Sequence, residues 1–160
     1  HDRFVGAHPF QLRTGWTVRV MPEAGSVTPS RRVSARPEDF GTWNDWALVQ
    51  ASPNDFAEAV TTARSTRTLR PGEPVWVVGD GTGGRLRVTV GRVGEVRGSN
   101  IRLEQIAIEG GFSGSPAFDA NGRLVGIAVV KRGDDQAELV AWDAIDRVLR
   151  ETGTPSLSTN

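Results

Sequence analysis

Alternation is what most constrains this chain. From Arg85 to Val96 (RLRVTVGRVGEV) apolar and polar residues alternate, and Ile101 to Ile108 continues in the same style. A period of two sends successive side chains to opposite faces, which is the habit of a strand and not of a helix. Val75 to Val78 and Leu124 to Val130 are apolar enough to be buried strands, and the turns Gly79 to Gly84 and Asp119 to Gly122 interrupt the series. Short strands separated by glycine-rich turns indicate an all-β barrel or sandwich. Upstream, Thr17 to Met21 alternates, Arg31 to Ala35 is a second short strand, and Trp46 to Ala51 reads as a buried one. Helix is expected in two places. One is a short stretch, Asp55 to Ala63. The other is Ala144 to Glu151, capped by Asp143, with Ala144, Ile145, Val148 and Leu149 on one face.

At 160 residues the chain makes one domain or two small lobes. The Ser/Thr/Arg-rich stretch that ends in RPGEP suits a connection between lobes. The expected division is a lobe at 1–60, a connection at 61–74, a second lobe at 75–152 and a tail at 153–160. A chain this long buries about 70% of its unfolded surface, so it needs no metal or disulfide to fold. It has no cysteine and two histidines, which excludes a disulfide framework, Cys-ligated zinc and a His-rich metal site, and no cofactor is expected. Nineteen basic residues balance nineteen acidic ones, leaving no footprint for nucleic acid. No apolar run approaches the ~18 residues of a membrane helix, and no secretory leader is recognisable, so the compartment stays open. The five tryptophans read as core or lobe-interface residues. The Gly79 to Gly84 loop is weighed as a phosphate cradle, but such loops open helices and here an alternating strand comes next, so a hairpin turn is expected.

The chemistry concentrates in GGFSGSPAFDANGRLVGIAVV, Gly110 to Val130. Ser113 stands between small residues, Gly111 and Gly114 nearby, where a tight loop exposes a hydroxyl and lets backbone N–H groups converge beside it. Acyl transfer needs that combination of a nucleophile and preset donors for the oxyanion. Glycine and serine are also ordinary turn residues, and the plain alternative is a hairpin with small side chains. The close spacing of the Asp-Ala-Asn-Gly turn and the Gly-Ile strand makes the stretch more specific than that.

Those residues resemble the nucleophile loop of chymotrypsin-like serine proteases, nearest the bacterial glutamyl endopeptidase and HtrA-type branches, with their Gly-x-Ser-Gly-(Gly/Ser)-Pro and subsequent Gly-Ile strand. RPGEPVWVVG is likewise similar to a strand of the HtrA type. The resemblance implies two six-stranded antiparallel β-barrels with a C-terminal helix packed across the second. It implies a serine endopeptidase with Ser113 as nucleophile and the N–H groups of Gly111 and Ser113 as oxyanion hole. Ala107 would lie at the base of the specificity pocket, with Ala128, Val129 and Val130 as one wall. Phe112 stands where the family often has Asp or Asn, so activation by a new N-terminus paired with an aspartate there is not available. Ser115 replaces the commoner glycine, as the glutamyl endopeptidase branch also shows.

A serine hydroxyl needs a base, and the base an orienting acid. Asp45 leads into an apolar strand as Asn-Asp-Trp-Ala-Leu-Val, resembling the segment that carries the triad aspartate. An aspartate beside buried apolar groups is costly unless something such as an imidazole N–H pairs with it. The alternative is a surface aspartate at a strand end. Asp39 and Asp55 fit less well, because neither leads into an apolar strand. For the base, His1 is the first candidate, since HDRFVGAHPFQLRTGWTVRVMP resembles the stretch that begins at the catalytic histidine in glutamyl endopeptidases, where a loop leads into a strand ending near a proline. His8 is the second, although Pro9 behind it disfavours a short helical turn. A third reading is that the chain supplies no competent base. With His1 as base the first barrel is incomplete at its N-terminus, and a regulatory domain or partner would supply the missing strands.

No charge stands at the expected pocket base, which disfavours cleavage after Arg or Lys and favours small or medium apolar side chains. Lys131 or Arg132 near the rim would instead favour an acidic residue, although the wall strand lacks the histidine usual in glutamyl endopeptidases. The expected partner is a polypeptide substrate. Two further readings stay open: a protease-like module that has lost catalysis and binds peptides by strand addition, and a protease domain excised from a larger regulated protein.

Overall fold

The computed structural model describes residues 16–20, 31–41, 46–50, 62–80, 86–151 and 156–159. The chain divides into two compact units, His1–Ala59 and Val60–Asn160. In the first, β1 (Trp16–Val20), β2 (Arg31–Gly41) and β3 (Trp46–Gln50) form an antiparallel sheet in that order. β2 runs well past the Ala35 at which the sequence pattern ends. Its pairing with β3 shifts register between Pro37 and Asp39. Proline has no N–H to give to the ladder, and a bulge there absorbs the break so that the strand continues.

The second unit holds the barrel. Its strands are β5 (Pro74–Asp80), β6 (Leu86–Arg97), β7 (Asn100–Glu104), β8 (Pro116–Phe118), β9 (Leu124–Arg132) and β10 (Gln136–Ala141). Every one pairs antiparallel with two neighbours, in the cycle β5–β6–β7–β10–β9–β8 and back to β5. Closure leaves no free sheet edge around the ring. A short strand β4 (Thr62–Ala63) adds to β9 in parallel, and β11 (Ser158–Thr159) adds to β4. The helix expected over Asp55–Ala63 is thus contradicted at its end, where Thr62 and Ala63 are extended because the barrel offers them a pairing partner. The rest of that stretch lies outside the described residues.

The barrel is filled by Val75, Val77, Val93, Ile101, Leu103, Val125 and Leu139, all nearly inaccessible. On β6 the buried phase is Gly91 and Val93, while Leu86, Val88 and Val90 face outward. A single 3-10 turn at Thr66–Thr68 lies between β4 and β5. α1 (Trp142–Glu151) begins two residues before the expected Ala144, so Asp143 sits inside its first turn and does not cap it. There its carboxylate faces the positive end of the helix and accepts a hydrogen bond from Ser65 Oγ at 3.0 Å. The helix buries Trp142, Ala144, Ile145 and Leu149. Among the described residues no helix is long and apolar enough to cross a membrane.

Candidate active site

Two consecutive turns carry Ser113. In the first, the N–H of Phe112 approaches the Glu109 carbonyl at 3.5 Å, and Gly111 in the third position has φ +100°. In the second, the Ser115 N–H donates to the Phe112 carbonyl at 3.0 Å, and Gly114 in the third position has φ +88°. A positive φ at that position is the signature of a type II turn, which an L side chain rarely tolerates. Glycine at 111 and 114 is therefore a backbone requirement of this bend.

The bend is anchored on both sides of the serine. Phe112 is buried in the barrel core, 3% exposed. On the other side, the Gly114 N–H donates to the Ala128 carbonyl at 2.7 Å, and the Ala128 N–H donates to the Ser115 carbonyl at 2.8 Å. Between these anchors Ser113 is exposed. Its Oγ donates to the Val129 carbonyl at 2.9 Å. A carbonyl cannot take the hydroxyl proton, so nucleophilic attack from this arrangement requires the side chain to turn to a base first. Among the described residues, no backbone carbonyl accepts from the N–H of Gly111 or of Ser113.

Ser113, Ala128 and Val129 are thus brought together, with Gly111 on the same bend. Ala128 is buried and Val129 half-buried, and Val130 comes after them in β9. Ala107 lies exposed on the segment that leads from β7 to the first turn. That segment leaves β7 through Gln105, a non-glycine residue at φ +55°, and the Ile106 N–H then reaches the Asp135 carbonyl at 3.1 Å. Two β6 side chains hold it, neither of them expected from the sequence. Thr89 Oγ1 donates to the Ala107 carbonyl at 3.2 Å, and Arg87 pairs with Glu109 at 3.0 Å. Their signal was the polar half of the β6 alternation, which is the half turned towards the 107–109 segment.

Of the basic residues expected near the rim, Arg132 is engaged by Glu138, with Nε and Nη2 on one carboxylate oxygen at 2.9 and 2.7 Å. His1, His8, Asp45 and Asp55 lie outside the described residues, and Asp39 stands on β2 in the first unit. Among the described residues no cluster of three or more His, Asp or Glu side chains is placed to hold a metal ion.

The family model for the trypsin-like peptidase domain matches residues 7–127. The matched span contains Asp45 and Ser113 and begins after His1. Comparison with curated proteins gives no match. Among solved structures, the chain is similar to the inactive form of a serine-to-alanine mutant of Rv3671c from M. tuberculosis H37Rv, with a TM-score of 0.64 and 18% identity. The match covers 77% of this chain and 66% of that one. At that identity the likeness is one of fold.

Proposed function

We propose that this chain, which belongs to the trypsin-like peptidase domain family, is a serine endopeptidase domain that cleaves peptide bonds through an acyl-enzyme on Ser113. The observation that carries the reading is the exposed Ser113 hydroxyl on a doubly anchored bend whose two glycines hold positive φ. In this reading the acid is Asp45 and the base a histidine, His1 before His8.

The steps rest on the groups assigned. Ser113 Oγ turns from Val129 to the imidazole, gives it the proton and attacks the scissile carbonyl carbon. Asp45 holds the imidazole tautomer and stabilises its charged form. The N–H groups of Gly111 and Ser113 receive the negative oxygen, and one such donor is worth ~3–4 kcal/mol in the transition state. Collapse breaks the C–N bond, and the imidazolium returns the proton to the leaving amine. Water, deprotonated by the same imidazole, then hydrolyses the ester and restores the serine. Substrate side chains would enter between Ala107 and the Ala128–Val130 wall. With Arg132 neutralised by Glu138, small or medium apolar residues suit that pocket best.

A second reading, a peptide-binding module without catalysis, is favoured by one observation: the Ser113 proton is held by a carbonyl and not by a base. A fluorophosphonate probe separates the two. Stoichiometric labelling that is lost in Ser113→Ala, with a rate that climbs with pH through an imidazole value of ~6.5, supports the enzyme. Absence of labelling in the unmodified chain leaves the binding module. A labelling rate that is flat from pH 5 to 8 removes histidine as the base.

A further inference from the structure

Gly79 is the last residue but one of β5. β5 and β8 pair as Trp76 with Phe118 and Val77 with Ala117, and the same register carried on sets Gly79 opposite Ser115. The backbone at Gly79 is ordinary strand, and its φ lies outside the positive range that glycine alone adopts easily. Glycine is needed there for a different reason. A Cβ at this position would lie 2.1 Å from Ser115 Oγ, 3.0 Å from Ser115 Cβ and 2.8 Å from Phe112 Cδ1. Ser115 and Phe112 are themselves buried, at 7% and 3% exposure, so neither side chain has solvent to retreat into. They also flank Ser113, and the Ser115 N–H to Phe112 carbonyl bond closes the turn that presents it.

We propose that Gly79 is a positioning residue for the nucleophile: its missing side chain is the seat into which Ser115 and Phe112 pack, and that seat sets where the Ser113 hydroxyl stands. The inference rests on Ser113 being the nucleophile. Gly79 touches no reacting atom and acts through the two side chains beside the serine. Reactivity is steep in such placement, because a shift of about 1 Å at an attacking atom costs on the order of a hundredfold in rate.

The test measures the rate at which a fluorophosphonate labels Ser113 in the whole chain, in Gly79→Ala, in Ser115→Gly and in the double variant. A probe this small needs little of the peptide-binding surface, and loss of folded protein lowers the yield of label without slowing the folded fraction. Rate is therefore the readout. Gly79→Ala is expected to label about a hundredfold more slowly. Adding Ser115→Gly removes the shortest contact and should move the rate back towards that of Ser115→Gly alone. Labelling of Gly79→Ala at the unmodified rate, or a double variant no faster than Gly79→Ala, overturns the inference while leaving Ser113 as nucleophile. Absence of labelling in the unmodified chain overturns the nucleophile reading, and this inference with it. Should Gly79→Ala fail to fold, a double variant that folds and labels supports the shared seat, and one that fails to fold overturns it.

Discussion

Asp119 is legible in the sequence only as the first residue of a turn, yet it is the node of a charged network. Its carboxylate is 3% exposed and accepts from the N–H groups of Asn121 at 2.9 Å and Arg123 at 3.0 Å. The other oxygen takes Arg123 Nε and Nη2 at 2.9 and 2.7 Å, and Arg64 Nη1 lies 3.6 Å away while holding Glu73 at 2.6 Å. Burial pushes the Asp119 carboxyl up, but the Arg123 guanidinium and the two N–H groups outweigh it and hold it below the ordinary value. Glu73 is also held low, first by its hydrogen bond from Arg64. A carboxylate depressed in the folded state contributes stability that is fully present above its unfolded value near ~3.9–4.3 and is lost as pH falls through the folded value. Asp119→Asn keeps an acceptor for the N–H groups and loses the charge, so it should cost about 1.5–3 kcal/mol at neutral pH in urea unfolding. That gap should begin to narrow as pH drops below about 4, where the unfolded chain takes up the proton, and should close only once pH has fallen below the depressed value of the folded carboxyl. Equal stability of the two at pH 7 would contradict the network. The contrast with Ser113 is one of range: the serine's small neighbours adjoin it in sequence, whereas Arg64, Thr89 and Gly79 reach their contacts through strand register, which no local pattern records.

At the level of elements, alternation identified strands better than it identified their faces. Leu86, Val88 and Val90 look like the inward half of β6, and they are 42%, 61% and 46% exposed. The inward phase is set instead by Val93, ahead of a register shift between Val93 and Glu95 that changes which residues point in. β10 alternates in QAELV and is a strand that the sequence pattern did not reveal. Short flanking polar residues, Gly133 to Asp135, make it resemble a loop, and its strand state comes from pairing with both β7 and β9. Where β10 meets β9, the seam leaves no room for a side chain at Gly126, whose Cβ would stand 2.4 Å from the Val140 carbonyl oxygen. Val140 is itself paired to Asn100 on the other side, so the obstructing group is main chain held from two directions and cannot swing away. Gly126→Ala should therefore cost about 1–3 kcal/mol in thermal or urea unfolding. A melt unchanged from the parent would mean that the barrel is not closed through this seam.

On the scale of the whole molecule, fold and chemistry divide differently between the units. The buried cluster described, Leu69 to Ala141, lies within the second unit, and the six strands of the barrel ring are all strands of that unit. Burial on that scale is what lets a unit fold by itself. The proposed nucleophile, Ser113, is there too, but both histidines of the chain, His1 and His8, and Asp45, proposed to orient one of them, belong to the first unit. The second unit alone therefore has the serine and the two N–H groups proposed as oxyanion donors, and no imidazole. A fragment of residues 60–160 should keep a β-type circular dichroism spectrum and melt cooperatively. It should also label with fluorophosphonate about 10³-fold or more slowly than the intact chain, the size of effect seen when a serine loses its base. The two measurements fail separately. A fragment that does not melt cooperatively would show that the barrel depends on the first unit for its stability. A folded fragment that labels as fast as the intact chain would show that Ser113 gains its reactivity without histidine, and the assignment of His1 or His8 as base would be wrong.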